Sequence, residues 1–394
     1  MKLYRNLSEA VITALKTIFE DNKYADKVIE KTLKQNPKWG ARDRRFIAET
    51  TYDIVRWYRY LLAVSGSKND DYWSLLGTWL IWKEIELPDW DQFKNLNVNS
   101  VKGKFQKEYP LSVRESIPDW LDELGNSELP SRWAQEVKSL NNEAAVVLRA
   151  NSLKGEVGTI QNQLMQEGIE TIVNSKFQNA LILNKRMNVF GSQAFKKGLF
   201  EVQDAGSQLI APFLKVEPGM RVIDACAGAG GKTLHLSALM QNKGRIVAMD
   251  TEGWKLDELK KRAKRAGANN IESKVIENSK TLKRLANSAD RLLLDVPCSG
   301  LGVLKRNPDA KWKLSPDYIS KVKILQQQIL SEYATMVKTG GMLVYSTCSI
   351  LPSENEEQVK QFLNSNPSFE LIDEYHCWPS DGFDGFYMAL IKKK

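Results

Sequence analysis

The sequence predicts an α/β protein: a doubly wound parallel sheet in the C-terminal half, preceded by a small α+β module and an all-helical N-terminal domain. Apolar residues recur at spacings of three and four up to about residue 140. Short β-branched runs follow, and after Gln203 apolar strands alternate with helical segments of about 10 to 15 residues. We therefore expect domains at 1–140, 141–203 and 204–394.

The N-terminal domain is predicted to be helical because apolar side chains repeat along one face, as at Val11, Leu15 and Ile18. Residues 39–61 (WGARDRRFIAETTYDIVRWYRYL) interleave arginines with aromatic residues, namely Arg42, Arg44, Arg45, Phe46, Tyr52, Arg56, Trp57, Tyr58 and Arg59. Arginine can bind phosphate and aromatic rings can stack on bases, so this segment is a candidate RNA surface. The alternative is a helix whose arginines are solvated and whose aromatic residues are core.

Composition narrows the classes of function. Lys and Arg outnumber Asp and Glu by 56 to 48 over 394 residues, a net charge of +8, which is compatible with a polyanionic partner or simply with a basic surface. The cysteines, Cys226, Cys298, Cys348 and Cys377, form no CxxC pair, so we expect free thiols and neither a disulfide framework nor a metal site. No apolar run reaches the roughly 18 residues of a spanning helix, so we expect a cytoplasmic protein without membrane association.

A glycine-rich turn, ACAGAGGKT, follows the predicted strand MRVID and opens a helix. Glycines there let the backbone approach a ligand closely. A phosphate-binding P-loop would need glycine at Cys226, and the dinucleotide pattern G-x-G-x-x-G lacks its third glycine. The adenosyl group of S-adenosylmethionine remains the best candidate ligand.

Two aspartates end later strands of the same predicted sheet. Asp250 closes GRIVAMD, at about the distance where an acidic residue binds ribose hydroxyls, although a helix cap is the alternative. Asp295 closes LLLD. Both are expected in the crevice at the carboxyl ends of the strands.

Two cysteines lie in loops that leave this edge. Cys298 follows Asp295 in DVPCSG, and Cys348 follows the strand LVYS. A single buried cysteine is usually inert, but two beside a nucleoside site indicate nucleophilic chemistry. A thiolate that adds to carbon 6 of cytosine makes carbon 5 able to attack a methyl sulfonium. Lys232, Lys305 and Arg306 are candidates to favour the thiolate, and Asp295 and Cys298 to assist release.

The chain resembles the Sun-type (Nol/Nop/Sun) family of RNA cytosine carbon-5 methyltransferases from about residue 143 onward. The resemblance is carried by LRANSLK (148–154), VQDAGSQL (202–209), DACAGAGGKT (224–233), LLLDVPCSG (292–300), RNPDAKW (306–312) and YSTCSILPSENE (345–356). It implies a Rossmann-like catalytic domain, a preceding ferredoxin-like module and, from ARDRRFIAETTYDIVRW, a NusB-like helical domain.

By this resemblance, Cys348 is the nucleophile, Cys298 helps to release the product, and S-adenosylmethionine is the cofactor. The resemblance places the cofactor on the glycine-rich loop and on strand-end acidic residues, namely Cys226, Ala227, Gly228, Ala229, Gly230, Gly231, Lys232, Asp250 and Asp295. Two positions depart from the family pattern. The loop lacks the usual alanine-proline pair before GGKT, and VIENSK offers only Glu277 or Asn278 where an aspartate normally contacts adenine; we assign Asn278.

The expected substrate is ribosomal RNA, with transfer RNA second, and the expected state is a monomer. A methyltransferase for another substrate and an RNA-binding ribosome assembly factor remain alternatives. Ser353 with Glu356 is predicted to form a capping box at the start of the helix ENEEQVKQFL.

Overall fold

The computed structural model describes residues 3–394, which divide into two compact units. The first unit runs to Asn142 and also includes Leu304–Pro316; the second comprises Glu143–Val303 and Asp317–Lys394. The predicted α/β class with a helical N-terminal region is confirmed. Among residues 3–394, no helix has the length and apolar character needed to span a membrane.

The first unit is helical up to Asn142. Its core forms where the apolar stripe of the first helix packs against the third and fifth, burying Val11, Leu15, Ile47, Ile54 and Leu75 completely. The helices are α1 (Arg5–Phe19), α2 (Ala25–Gln35), α3 (Ala41–Arg56), α4 (Tyr58–Ser65), α5 (Tyr72–Trp82), α6 (Val98–Phe105), α7 (Leu111–Arg114), α8 (Asp119–Glu128) and α9 (Trp133–Leu140).

The second unit begins with a small antiparallel sheet in the order β2-β3-β1-β4. Its apolar face is covered by one amphipathic helix through Ile160 and Leu164, both buried. The elements are β1 (Val147–Ala150), α10 (Val157–Gln166), β2 (Thr171–Val173), β3 (Ala180–Leu183), α11 (Gln193–Lys196) and β4 (Phe200–Val202).

The same unit continues into a larger sheet flanked by helices. The strands are β5 (Arg221–Asp224), β6 (Arg245–Asp250), β7 (Ile271–Val275), β8 (Ala289–Asp295), β9 (Val337–Thr347), β10 (Phe369–Cys377) and β11 (Phe386–Lys393). The helices are α12 (Ala205–Phe213), α13 (Gly231–Leu239), α14 (Gly253–Ala266), α15 (Ser279–Lys283), α16 (Ala310–Lys313), α17 (Pro316–Tyr333) and α18 (Glu356–Ser365), of which α16 belongs to the first unit.

The strand order, β10-β11-β9-β8-β5-β6-β7, places a topological switch point at the centre of the sheet. Strands β9, β8, β5, β6 and β7 are parallel, whereas β11 and β10 add an antiparallel edge that the sequence analysis did not predict. The chain proceeds outward from β5 to β7 and then returns to β8 on the other side of β5. Ligands of such sheets bind beyond the carboxyl ends of the strands at this reversal.

One segment of the C-terminal half packs in the helical unit. Lys311 is buried and donates to the backbone oxygen of Arg56, while the Trp312 indole donates to the backbone oxygen of Val55, each at 2.8 Å. In return, Arg56 donates to the backbone oxygen of Lys305 at 2.8 Å. The RNPDAKW motif therefore lies outside the parallel-sheet unit, although the sequence analysis assigned it to the continuous domain 204–394.

Candidate active site

The glycine-rich loop joins β5 to α13, as the sequence predicts. Gly228 and Gly230 both have positive φ, 53° and 87°, a conformation that side chains disfavour. A Cβ on Gly230 would also lie 2.6 Å from Cγ of Leu259 on α14. These two glycines thus allow a sharp turn packed closely against the neighbouring helix.

Asp250 fixes this loop at the end of β6. One carboxylate oxygen accepts the backbone N–H of Gly228 and the other accepts that of Glu252, both at 2.9 Å. Each carboxylate oxygen has a second lone pair. The side chain can therefore hold the loop and still accept hydrogen bonds from a hydroxyl of a ligand.

A cavity of about 450 Å³ opens at the carboxyl ends of β5, β6 and β8, within the range of small-molecule sites. Four residues predicted to bind the cofactor line it: Cys226, Gly228, Asp250 and Asp295. The remaining lining combines a polar end with an apolar wall, formed by Ala225, Thr251, Glu252, Lys255, Ile276, Val296, Pro297, Leu325, Gln328, Ile329, Glu332 and Tyr333.

Asp295 connects this cavity to the glycine-rich loop and to β9. Its two oxygens accept hydrogen bonds from the Lys232 ammonium at 2.5 Å and from the Ser346 hydroxyl at 3.0 Å. Burial alone would lower the pKa of Lys232, but the attraction of Asp295 outweighs it and the pKa lies above its usual value. Cys348 contributes to the same upward shift of that pKa, so a stable cation lies within electrostatic reach of this thiol.

Cys298 and Cys348 are brought together by adjacent strands. Cys298 follows β8, Cys348 follows β9, and their Sγ atoms are 3.3 Å apart, within the range of a thiol hydrogen bond. The hydrogen bond with Cys348, followed by burial, raises the pKa of Cys298 well above its usual value. Cys298 therefore retains its proton in this pair. The two thiols thus lie together, but neither is among the residues that line the cavity described above.

The other two cysteines have different surroundings. Burial and the neighbouring Asp224 raise the pKa of Cys226 well above its usual value, and burial raises that of Cys377 to about 12. A protonated, buried thiol is a weak nucleophile. Neither lies in a thiol pair, because the structure places only Cys298 and Cys348 together among residues 3–394.

Comparison with known proteins agrees with these features. Residues 211–391 match the family described as "16S rRNA methyltransferase RsmB/F", and residues 117–190 match the ferredoxin-like domain of RsmF/B-like methyltransferases. A Synechocystis protein named "Probable ribosomal RNA small subunit methyltransferase B" is 31% identical, covering 94% of this chain and 90% of its own length. The chain belongs to the RsmB/F family. The predicted resemblance to Sun-type methyltransferases is thereby confirmed.

A further relative supports this membership, and two solved structures share the fold. The ribosomal RNA small subunit methyltransferase B of Sodalis glossinidius is 32% identical over 77% of this chain and 73% of its own length. Among solved structures, PH0851 has a TM-score of 0.83 at 25% identity and covers all of both chains. A methyltransferase homolog from Pyrococcus horikoshii has a TM-score of 0.64 at 26% identity and covers 72% of this chain and 98% of its own.

The remaining predicted cofactor residues do not line the cavity. Ala227 and Ala229 hold the loop through their backbones, donating to the oxygen of Met249 and accepting from Arg262, both at 2.8 Å. Gly230, Gly231 and Lys232 form the turn and the first residues of α13. The exposed Asn278 accepts the backbone N–H of Lys280 at 2.9 Å and caps α15, so the structure gives its expected contact with adenine no support.

Two of the three residues predicted to favour the thiolate belong to the helical unit. Lys305 and Arg306 fall within Leu304–Pro316, which packs in the helical unit, and Lys305 is buried.

In the segment 39–61, Arg44 donates to the backbone oxygens of Trp39 and Leu33. The predicted RNA surface is therefore smaller than its arginine count suggests, because Arg56 and Arg59 also bond to backbone oxygens inside this unit.

The sequence analysis missed Glu354 and misread its surroundings. The predicted capping box of Ser353 with Glu356 is wrong, because α18 begins at Glu356 after the N-cap Asn355, which makes no side-chain cap. Residues 352–354 instead form a short 3-10 turn that buries Glu354 completely. The acidic run ENEE gave a signal for a helix start and concealed a buried carboxylate beside the thiols.

Proposed function

We propose that this chain is an S-adenosylmethionine-dependent RNA (cytosine-5)-methyltransferase that acts on small-subunit ribosomal RNA. The observation that carries the proposal is the pair of thiols, 3.3 Å apart, at the ends of two strands of which one, β8, also supplies Asp295 to the cavity. Such a pair offers one thiol as the nucleophile for covalent catalysis on a pyrimidine ring and a second that can transfer a proton.

The cavity fits S-adenosylmethionine in size and in the chemistry of its lining. Asp250 and Glu252 offer acceptors for ribose hydroxyls at one end, and Ile276, Ile329 and Tyr333 offer an apolar wall for a flat base. Gly228 allows close backbone approach. The bound cofactor would supply an electrophilic methyl group on sulfur.

Cys348 is the proposed nucleophile. Its thiolate forms a bond to carbon 6 of cytosine, and the displaced electron pair makes carbon 5 nucleophilic towards the methyl group. Carbon 5 would then take the methyl group, and the electron pair of the broken sulfur–methyl bond would stay on the sulfur of the cofactor. A proton passes from carbon 5 to a base, for which Asp295 and Cys298 are the candidates, and the electrons of that C–H bond expel the thiolate, which restores the aromatic ring and frees Cys348.

The neighbours of the two thiols support this assignment. The hydrogen bond with Cys348 is the first cause of the raised pKa of Cys298, and burial is the second. The S–H of Cys298 can therefore donate to a Cys348 thiolate, and the cationic Lys232 favours the same charge. These contacts support Cys348 as the nucleophile and Cys298 as the group that assists release.

The target cytosine must leave its stack to reach the thiol pair. Cys298 and Cys348 are only partly exposed, and a base stacked in an unbroken helix cannot bring its carbon 6 to such a thiol. We therefore expect the modified cytosine in a loop, bulge or easily opened pair.

Mass spectrometry of thiol variants tests the proposal. Cys298→Ala and Cys348→Ala proteins are incubated with small-subunit ribosomal RNA and S-adenosylmethionine, with Cys377→Ala as the control for loss of a buried cysteine. We expect a stable protein–RNA adduct only in Cys298→Ala, attached through Cys348, and 5-methylcytosine from the wild-type and Cys377→Ala proteins.

Other outcomes separate the alternatives. An adduct through Cys298 in the Cys348→Ala protein would exchange the two roles. Methylation of transfer RNA in preference to ribosomal RNA would keep the chemistry and change the substrate. Tight RNA binding without any methyl transfer, although the cofactor binds, would favour an assembly factor.

A further inference from the structure

The residues that follow the two cysteines converge on one buried carboxylate. Glu354 accepts the backbone N–H of Ser299 at 2.7 Å and the Ser299 hydroxyl at 2.5 Å. It also accepts the Ser349 hydroxyl. Ser299 directly follows Cys298 and Ser349 directly follows Cys348. A single carboxylate therefore joins the loop after β8 to the loop after β9.

The two serine hydroxyls are also held by the surrounding backbone. The Ser349 oxygen accepts the N–H of Leu351 at 3.2 Å, and the Ser299 oxygen accepts that of Leu301 at 3.4 Å. The Ser299 hydroxyl also lies 3.1 Å from the Ser349 hydroxyl, to which it can donate, so the two serines and the carboxylate form one network. Gln326 adds a fourth donor at 3.1 Å and also binds the backbone oxygen of Pro297 at 2.9 Å.

Glu354 is held in place by its own turn. The Tyr345 hydroxyl donates to its backbone oxygen at 2.7 Å. The adjacent Asn355 accepts from Thr347 at 2.5 Å and donates to the Ser349 backbone oxygen at 3.1 Å. Within residues 3–394 no cation forms an ion pair with Glu354, and its carboxylate is satisfied by neutral donors, three from the two cysteine loops and one from Gln326 on α17.

We propose that Glu354 is a positioning residue that keeps the Sγ atoms of Cys298 and Cys348 close to each other. This inference rests on the proposed function, since it assigns the residue that aligns the nucleophile with its partner thiol. The carboxylate accepts from all four groups that face it, two N–H groups on one oxygen and two hydroxyls on the other. In Glu354→Gln, an amide oxygen that keeps the two N–H donors would leave the N–H₂ against the two hydroxyls, which would have to turn their hydrogens away, so both loops would lose the bonds that their hydroxyls now donate.

The rate at which Cys298 and Cys348 form a disulfide measures this proximity in the absence of RNA. Diamide takes two electrons and two protons from a pair of thiols, leaving a disulfide and the reduced hydrazine. The Sγ atoms need to move only from 3.3 Å to about 2.05 Å, so the wild-type protein should close the Cys298–Cys348 bond rapidly. Peptide mapping by mass spectrometry identifies the bond and excludes Cys226 and Cys377.

We expect Glu354→Gln to slow closure at least tenfold and methyl transfer about 100-fold in kcat, with the Kd for S-adenosylmethionine within twofold of wild type. The matched control is Glu357→Gln, an exposed glutamate of α18, which should behave as wild type. Glu354→Asp keeps the charge but loses one methylene of reach, so it should recover only part of the closure rate.

Three outcomes decide between explanations. If a Glu354→Gln protein that binds the cofactor normally forms the disulfide at the wild-type rate, the proposal is overturned. If Glu354→Gln does not fold, the double variant Ser299→Ala/Ser349→Ala removes two donors instead, and wild-type closure there would overturn it equally. If the wild-type protein makes no 5-methylcytosine but Glu354→Gln still slows closure, the proposed function fails and the positioning role stands.

Discussion

The cofactor cavity and the thiol pair lie at the same edge of one sheet but are built differently. The glycine-rich loop is shaped mostly by its own residues, through two positive φ angles and one carboxylate at the end of the next strand. The thiol pair is assembled from segments about 50 positions apart and joined through a third, the turn that carries Glu354. Local backbone geometry determines the first, and long-range hydrogen bonds determine the second.

This difference predicts which property is lost when each region is altered. Damage to the glycine-rich loop should weaken binding of the cofactor and leave the thiols close together. Damage to the thiol loops should reduce turnover while the cofactor still binds. Gly302→Ala, Gly230→Ala and Asn278→Ala test this separation, and Asp224→Asn tests the burial of the carboxyl group that precedes the glycine-rich loop.

Gly302→Ala should reduce kcat about 100-fold, because it directly disturbs the loop that carries Cys348. Gly302 donates to the Cys348 backbone oxygen at 2.9 Å, and a Cβ there would lie 2.2 Å from the backbone oxygen of Gly385. The loop carrying Cys348 must move, and small displacements of a reacting group cost this much. Turnover and cofactor Kd are measured side by side, with Gly158→Ala, which meets no atom within 4 Å, as the control. A tenfold loss of cofactor affinity would contradict the separation.

Gly230→Ala should weaken S-adenosylmethionine binding by about 10- to 100-fold, corresponding to roughly 1–3 kcal/mol of strain. Its φ of 87° disfavours a side chain, and the added carbon would contact Leu259 at 2.6 Å. Calorimetric titration measures the change. The neighbouring Gly231→Ala meets no atom within 4 Å and should bind the cofactor nearly as well as wild type. Slower diamide closure in Gly230→Ala would show that the two regions are coupled.

Asp224→Asn should change the pH dependence of stability by about 2–4 kcal/mol between pH 4 and pH 7. Burial beneath the glycine-rich loop raises the pKa of Asp224 to about 7 from 3.8. The folded protein therefore binds a proton that the unfolded chain releases in this window, so this group's contribution to the free energy of unfolding falls as pH rises. Asparagine removes that slope.

Urea unfolding at several pH values measures this effect. The expected result is a variant that gains stability relative to wild type as pH increases from 4 to 7. Asp257→Asn, at an exposed position of α14, controls for the loss of a charge. A difference between variant and wild type that stays constant with pH would contradict the assigned shift.

The sequence predicted the parts of the site that follow strand ends. Asp250 and Asp295 end β6 and β8, Cys348 directly follows β9, and Cys298 lies three positions beyond β8; parallel strands bring such positions to one edge. The analysis did not predict Glu354, because its partners lie 55 and 5 positions away and no local pattern reports a buried carboxylate.

The same limit explains the two larger surprises of the fold. The edge strands β10 and β11 were not predicted because nothing in their residues specifies that β11 pairs antiparallel with β9. The segment Leu304–Pro316 leaves the sheet unit because Lys311 and Trp312 find backbone acceptors on α3, more than 250 positions earlier. Contacts at this separation follow from packing, which a strand or helix pattern does not encode.

Asn278→Ala should have the smallest effect. Its side chain caps α15 and is exposed, so its loss should cost about 1 kcal/mol of stability and leave the cofactor Kd within twofold of wild type. Ile276→Ala, two positions earlier, removes a side chain that lines the cavity and should weaken cofactor binding by about tenfold. Calorimetric titration of both variants compares them directly. If Asn278→Ala instead loses as much affinity as Ile276→Ala, the asparagine contacts adenine as the family pattern implies, and cofactor binding must draw the start of α15 into the cavity.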